Sequence, residues 1–279
     1  MITIGVFGAA GSMGTRLSSR LKGDPEYRLL FIEGSEAGAA KVAARGDSVT
    51  PAREALAAAD VVVLAVPDRV LLAVAAEAVP QMKPGALLIC LDPAAPYTGR
   101  LPARRDISYF VTHPAHPPIF NDETDPEARG DFFGSGKAKQ AIVSALLQGP
   151  EEHYAIGERI SRKVFGPILR SHRVTVHQMA ILEPVLSETV AASCLSVIRE
   201  AMDEAVKRGV PRQAAFDFLM GHLNIELAIL FEQSSWKFSA GCQQAIADGK
   251  RDLFRDDWKK VFDEDQIRIS VAKITGVGP

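Results

Sequence analysis

Gly8, Gly11 and Gly14 stand between an apolar run, 2–7, and a segment, 15–21, with helical spacing. This strand, glycine turn and helix at the N-terminus constrains the fold more than any other feature of the chain. Gly8 and Gly11 permit a tight turn and close backbone approach, and Gly14 lets the helix lie near the strand. The helix N-terminus, at Ser12 and Met13, then offers free N–H groups and a positive dipole end to a pyrophosphate. The spacing departs slightly from G-x-G-x-x-G, because Ala9 or Ala10 takes the usual middle glycine place. A second apolar run, 27–32, ends at Glu33, 19 residues after Gly14. A carboxylate there can accept hydrogen bonds from ribose hydroxyls and repel a 2′-phosphate, which favours NAD over NADP. Nearby arginines such as Arg45 could alter that preference. A glycine-rich loop without a ligand, beside a surface glutamate, is the plainer reading.

The following segments repeat the alternation. An alanine-rich stretch, 52–59, reads as a helix, and 60–67 is a β-branched run stopped by Pro67. Asp68 can cap the helix expected over 69–82, and Pro84-Gly85 turns the chain into an apolar strand, 86–91. Ala65, Val66, Pro67 and Asp68 should reach the carboxyl edge of the sheet, where ligands bind in open α/β folds, and Asp92 follows the next strand to the same edge. Strands that are apolar on both sides imply a parallel sheet covered on both faces. The fold class is therefore α/β: an N-terminal Rossmann-type, doubly wound parallel sheet. The stretch 93–136 is irregular, apart from a strand over 108–111, and long irregular segments are often functional. A strand is expected over 140–147, a helix over 151–169 and a short last strand over 173–176. From His177 the pattern is all-α, with one long helix over 179–207 kinked at Pro184. A short strand near 267–271 is the exception. The expected organisation is a dinucleotide-binding domain, 1–176, and a helical substrate and dimerisation domain, 177–279.

Lys+Arg 32 against Asp+Glu 34 gives net charge −2 and no basic stripe for nucleic acid. No apolar run approaches the roughly 20 residues of a membrane span. The first residues lack a basic n-region, so the expected location is the cytoplasm. Three well-separated cysteines, Cys90, Cys194 and Cys242, fit reduced thiols better than a disulfide frame or a zinc site.

Gly8-x-x-Gly11-x-Met13-Gly14, the run Asp60 to Pro67, and Thr112-His113-Pro114 resemble the N-terminal domain of prephenate dehydrogenases and 6-phosphogluconate-dehydrogenase-like enzymes. Met179 to Pro184, Ser187-Glu188-Thr189, Gly221-His222-Leu223-Asn224 and His113 to Asp122 resemble a smaller bacterial family that includes D-apionate oxidoisomerase. The resemblance covers nearly the whole chain. It implies a Rossmann domain, a helical second domain, and NAD-dependent oxidation of a sugar-acid-type hydroxy acid, coupled in the apionate case to skeletal rearrangement. The hydroxyacid-dehydrogenase pattern of a Lys shortly before an Asn on the long helix is absent, with no Lys there until Lys207.

Oxidation of an alcohol needs a base for the hydroxyl proton. His113 follows a strand and should lie near the carboxyl edge, with His116 the second candidate; both could instead be loop histidines that cap backbone groups. In prephenate dehydrogenases, a His-Pro at this place contacts the reacting hydroxyl. Glu183 lies among Met179, Ile181, Leu182 and Val185, with Ser187 on the same α-helical face. Burial would raise its pKa and suit it to acid–base work, unless an ion pair satisfies it. His222 and Glu226 are four apart, with Asn224 between them, and could hold a polyol or ligate a divalent metal such as Mg²⁺; a polar stripe is the simpler reading. The prediction is an NAD(P)-dependent oxidoreductase with a small-molecule substrate, no nucleic-acid or membrane partner, and a homodimer formed through the helical domain. In it, His113 assists proton removal, Glu183 is acid–base or orienting, and His222 and Asn224 hold substrate. The rivals are a prephenate-like or imine-reducing enzyme of the same fold, and a non-catalytic NAD-binding sensor.

Overall fold

The computed structural model describes residues 1–278. Seven strands form one sheet: β1 (Ile2–Phe7), β2 (Tyr27–Ile32), β3 (Val61–Leu64), β4 (Leu87–Cys90), β5 (Ser108–Pro114), β6 (Gln140–Gln148) and β7 (Ile168–Arg173). Their order is β2-β1-β3-β4-β5-β6-β7. The first five strands are parallel. Strand β6 runs antiparallel to β5, and β7 runs parallel to β6, so the sheet is mostly rather than wholly parallel. An apolar run such as 140–148 has no direction written in it, so this reversal was not legible.

The strands alternate their buried side chains between two cores. Val62, Leu64, Leu88, Cys90, Tyr109 and Val111 face one side, and Val61, Val63, Leu87, Ile89 and Phe110 face the other. On the first side pack α3 (Ala52–Ala58), α4 (Asp68–Ala78), α5 (Ala94–Tyr97) and α8 (Val176–Ala180). On the second pack α1 (Ser12–Leu21), α2 (Glu36–Ala44) and α7 (Glu151–Phe165). A one-turn helix, α6 (Pro126–Arg129), lies in the long β5–β6 connection. This is the doubly wound arrangement expected of strands that are apolar on both faces.

Several boundaries differ from the sequence reading. Helix α7 stops at Phe165, because Gly166 and Pro167 end it, and the last strand is 168–173 rather than 173–176. Thr175 instead caps α8, its side chain accepting from Gln178 N–H in a capping box. The predicted strand at 267–271 is part of α12 (Glu264–Thr275). Ile267, Ile269 and Val271 alternate, but the buried set is Ile267, Val271, Ala272 and Thr275, which is a helical face.

The long helix is continuous from Val176 to Lys207, a length of 32 residues. It passes from α8 through a π-helical stretch, Ile181–Ala192, into α9 (Ser193–Lys207). Pro184 lies inside the π segment, where the Thr189 hydroxyl donates to the Pro184 carbonyl five residues back. By length and composition this helix could cross a membrane, contrary to the expectation that no such run exists. Glu183, Pro184 and Glu188 interrupt the apolar sequence and hid it.

The chain divides into two compact units: Met1–Glu183 with the segment from Arg268 onward, and Pro184–Ile267. The C-terminal helix therefore belongs largely to the sheet unit. In the second unit α9 packs with α10 (Arg212–Leu230), followed by α11 (Ala240–Leu253). Neither α10 nor α11 has a buried residue.

Candidate active site

The glycine turn is shaped by sterics. Gly8 has φ +71°, and a Cβ there would strike the Ala65 carbonyl; a Cβ on Gly14 would strike Gly8 O and lie 2.6 Å from Ala9 Cα. Only glycine fits at either position. Gly11 is the N-cap of α1 and supplies no side-chain cap, so the first-turn N–H groups point outward for a ligand. Glu33, at the end of β2, accepts a hydrogen bond from Ala10 N–H.

In front of this turn, at the carboxyl edge of the sheet, lies a cleft of about 390 Å³. Of the residues singled out from sequence, Gly11, Ser12, Met13, Ala65, Val66, Pro67, Asp68, Asp92, His113 and His116 line it. Gly8 and Gly14 shape the loop behind it. Leu64, Leu71, Leu91, Pro114 and Phe133 complete the wall and were not foreseen.

His113 is carried by β5. Its Nδ1 is 2.8 Å from the Pro114 carbonyl oxygen, which can only accept. The neutral ring therefore carries its proton on Nδ1 and its lone pair on Nε2. Asp92 Oδ2 lies 3.8 Å from Nε2, and Glu183 Oε2 lies 3.6 Å from Nδ1. The imidazole is thus flanked by two carboxylates. Glu183 comes to the histidine, a pairing the sequence reading did not make. Ser187, by contrast, is exposed, because the i,i+4 face of an α-helix does not exist in π winding.

The carboxyl group whose pKa burial raises is Asp68. Desolvation first, then the neighbouring Asp92, push it up to about 6. Asp68 occupies the first position of α4, with Pro67 as N-cap, so it does not cap the helix as expected. Burial also pushes the Cys90 thiol up to about 12, which leaves it unreactive.

His116 has φ 60°, a left-handed backbone rare outside glycine. Its Nδ1 lies 3.0 Å from the Phe133 carbonyl oxygen and its ring 5.2 Å from the Phe133 ring. Phe133 is held by a turn whose centre is Asp131. One Asp131 oxygen accepts from Ser135 N–H and hydroxyl, and the other from the N–H groups of Gly136, Lys137 and Ala138. Burial alone would raise the Asp131 pKa, but these bonds hold it well below the usual carboxylate range. Arg16 ties this turn to α1 and α7, donating to the Gly134 and Val164 carbonyls. The signal for this wall was the pair Phe132-Phe133 in a polar loop, which the sequence reading passed over.

His222 and Asn224 are exposed on α10 in the second unit. The His222 ring stacks on Phe218 at 4.0 Å, and its Nδ1 lies 2.8 Å from the Phe218 carbonyl oxygen. Among the described residues no group of three or more His, Cys, Asp or Glu side chains is placed to hold a metal.

Residues 121–275 match the family described as phosphogluconate dehydrogenase (decarboxylating), C-terminal, and residues 3–94 match the one described as NADP oxidoreductase, coenzyme F420-dependent. A D-apionate oxidoisomerase of Cupriavidus necator is 53% identical over 98% of this chain and 99% of its own length. One from Rhizobium rhizogenes is 53% identical over 99% of this chain and 100% of its own. The chain belongs to the D-apionate oxidoisomerase family. It is an oxidoreductase with an NAD(P)-binding Rossmann fold and a phosphogluconate-dehydrogenase-like C-terminal part. A solved structure from Cupriavidus necator, described as a semialdehyde dehydrogenase NAD-binding protein in complex with calcium and NAD, superimposes with a TM-score of 0.95. It shares 52% identity and covers 99% of this chain and 100% of its own.

Proposed function

We propose that this chain is an NAD-dependent D-apionate oxidoisomerase in which His113 takes the proton of the reacting hydroxyl. The observation that carries the reading is the His113 imidazole between Asp92 and Glu183, in the same cleft as the glycine turn, in a chain 53% identical to relatives of that name. The turn fits a dinucleotide: a Cβ on Gly8 or Gly14 would fill the cradle, and α1 presents uncapped N–H groups. Ser12 and Met13, with the strand end from Ala65 to Asp68, would hold it. NAD, when bound, accepts the hydride from the carbon that bears the hydroxyl. His113 Nε2 receives the hydroxyl proton, and Asp92 and Glu183 stabilise the imidazolium. In the rearrangement that follows, one carbon–carbon bond breaks as another forms at the new carbonyl carbon. The neighbouring hydroxyl becomes a carbonyl and the former carbonyl becomes a hydroxyl, so a proton moves from one oxygen to the other. Asp68, with its pKa near neutrality, is the second group in the cleft able to move it. His116 shapes the substrate end of the cleft.

The helical part, from about 177, acts in this reading as a substrate and dimerisation domain. Phe216, Phe218, Leu230, Phe231 and Trp236 are exposed there in a single chain, and a second copy is the partner that covers them. A bilayer is disfavoured as the partner, because Glu183 and Glu188 lie inside the apolar stretch of the long helix, at a cost of about 2–3 kcal/mol or more each. The same reading places the enzyme in the cytoplasm, without a nucleic-acid partner.

The test is incubation of the purified protein with NAD⁺ and D-apionate, beside a panel of linear and branched sugar acids, with and without Mg²⁺ or Ca²⁺. Nicotinamide absorbance reports oxidation, and carbon NMR of the product reports the skeleton. NADH with a rearranged product from apionate is expected. NADH binding without turnover of any acid would overturn the reading.

A further inference from the structure

The peptide bond joining Ala9 to Ala10 lies in the middle of the glycine turn, where G-x-G-x-x-G loops carry a glycine. Both of its polar ends are held by side chains from outside the loop. The Ala10 N–H donates to Glu33 Oε1, and the Ala9 carbonyl accepts from Arg45 Nη1 at 2.9 Å. One planar peptide unit is therefore gripped by an acid on its donor end and a base on its acceptor end. Arg45 is itself fixed. Its Nε lies 2.9 Å from Asp47 Oδ2, and its guanidinium carbon sits 4.9 Å from the centre of the Phe31 ring. The Asp47 side chain is 8% exposed and also binds Lys22 at 2.7 Å. These contacts hold Arg45 on the loop.

We propose that Glu33 and Arg45 are positioning residues that clamp the 9–10 peptide, so that the loop and the first turn of α1 face the cofactor pyrophosphate. Glu33 then serves twice: one carboxylate oxygen holds the loop, and the other is left for the adenosine ribose. This rests on the NAD reading above. Its consequence is that cofactor preference cannot be reversed by deleting the Glu33 carboxylate. Such a variant loses the shape of the loop together with the ribose contact, and binds NADH and NADPH poorly alike.

The experiment compares two probes, NADH and its analogue carrying 2′,3′-dideoxyadenosine, by equilibrium fluorescence titration on wild type, Glu33→Ala, Glu33→Gln and Arg45→Met. Thermal unfolding of each variant is followed in parallel. If Glu33 only meets the ribose, Glu33→Ala binds the dideoxy analogue as wild type does. If Glu33 holds the loop, Glu33→Ala weakens the analogue as well, by about tenfold or more, the range of a charge-assisted hydrogen bond. Glu33→Gln keeps an oxygen that can accept from Ala10 N–H, and is expected to restore analogue binding to within about threefold of wild type. It also keeps the test decisive if the alanine variant fails to fold. Arg45→Met is expected to weaken both probes by a similar factor, leaving their ratio unchanged. Unaltered analogue binding in both Glu33→Ala and Arg45→Met overturns the clamp alone. Wild-type protein that binds neither probe overturns the cofactor reading and the clamp with it.

Discussion

Phe110 and Phe218 are the same side chain in two settings. Phe110, in β5, is fully buried and packs edge-on against Tyr154 at 5.6 Å. Phe218, in α10, is 69% exposed and touches only one ring among the described residues, that of His222. The contrast extends to the units that hold them. The sheet unit buries an apolar layer on each face, whereas α10 and α11 bury nothing in one chain. Apolar surface left in water opposes folding, so the sheet unit carries its own stability, whereas the helical unit leaves apolar surface for the proposed second copy to cover.

The largest expected effect breaks the comparison most plainly. Phe110→Ala should cost about 3–5 kcal/mol in denaturant unfolding, independent of protein concentration. Phe218→Asp should instead dissociate the assembly, which sedimentation would read as a fall in mass, and should remove the dependence of the unfolding temperature on concentration that an assembly confers. An unchanged mass for Phe218→Asp would remove the second copy from the account.

Next in size is Asp131. Asp131→Asn should cost about 1–3 kcal/mol, because buried N–H groups lose a charged acceptor. It should also raise the substrate KM by loosening Phe133 and His116. The wild-type pKa of Asp131 is lowered in the folded state, so its contribution is present above the unfolded value and is lost as pH falls. Asp68 works with the opposite sign. Its pKa rises from 3.8 to about 6, so the folded state holds the proton longer and its share of stability is lost as pH rises through that window. Asp68→Asn should remove that loss, seen as a flatter profile of unfolding temperature against pH. A profile parallel to wild type would place the Asp68 carboxyl in solvent.

The smallest effect sharpens the comparison. Ser35 and Ser239 cap α2 and α11 through bonds to Gly38 N–H and Cys242 N–H. Ser35→Ala should lower global stability by about 1 kcal/mol. Ser239→Ala should appear first as faster amide exchange confined to α11.

The sheet unit was legible because its signals are local. Ile2–Phe7, Tyr27–Ile32 and Val61–Leu64 are apolar runs closed by glycine, an acid or proline, and each became the strand expected. Gly8 and Gly14 announced the turn because no other residue fits there. Strand direction was not legible at β6, nor was the π winding around Pro184, since both depend on what packs against them. A strand read over 108–111 placed His113 near the carboxyl edge; the strand runs on to Pro114 and carries His113 to the cleft itself. The raised pKa of Asp68 was not legible, because it arises from burial beside Asp92, and these residues are far apart in sequence. Phe133 reaches the cleft through the backbone bonds around Asp131, a loop geometry that composition does not encode. The helical unit showed its helices, but not that Phe216, Phe218 and Trp236 are exposed in a single chain.

The measurement that tests the account most directly is made on one preparation of His113→Asn, with NADH affinity and turnover of D-apionate determined side by side against wild type. Loss of the base should lower kcat by about 10²–10⁴-fold while NADH affinity stays within about threefold. Turnover equal to wild type, or turnover lost only in step with NADH binding, would contradict the assignment of His113 as the proton acceptor.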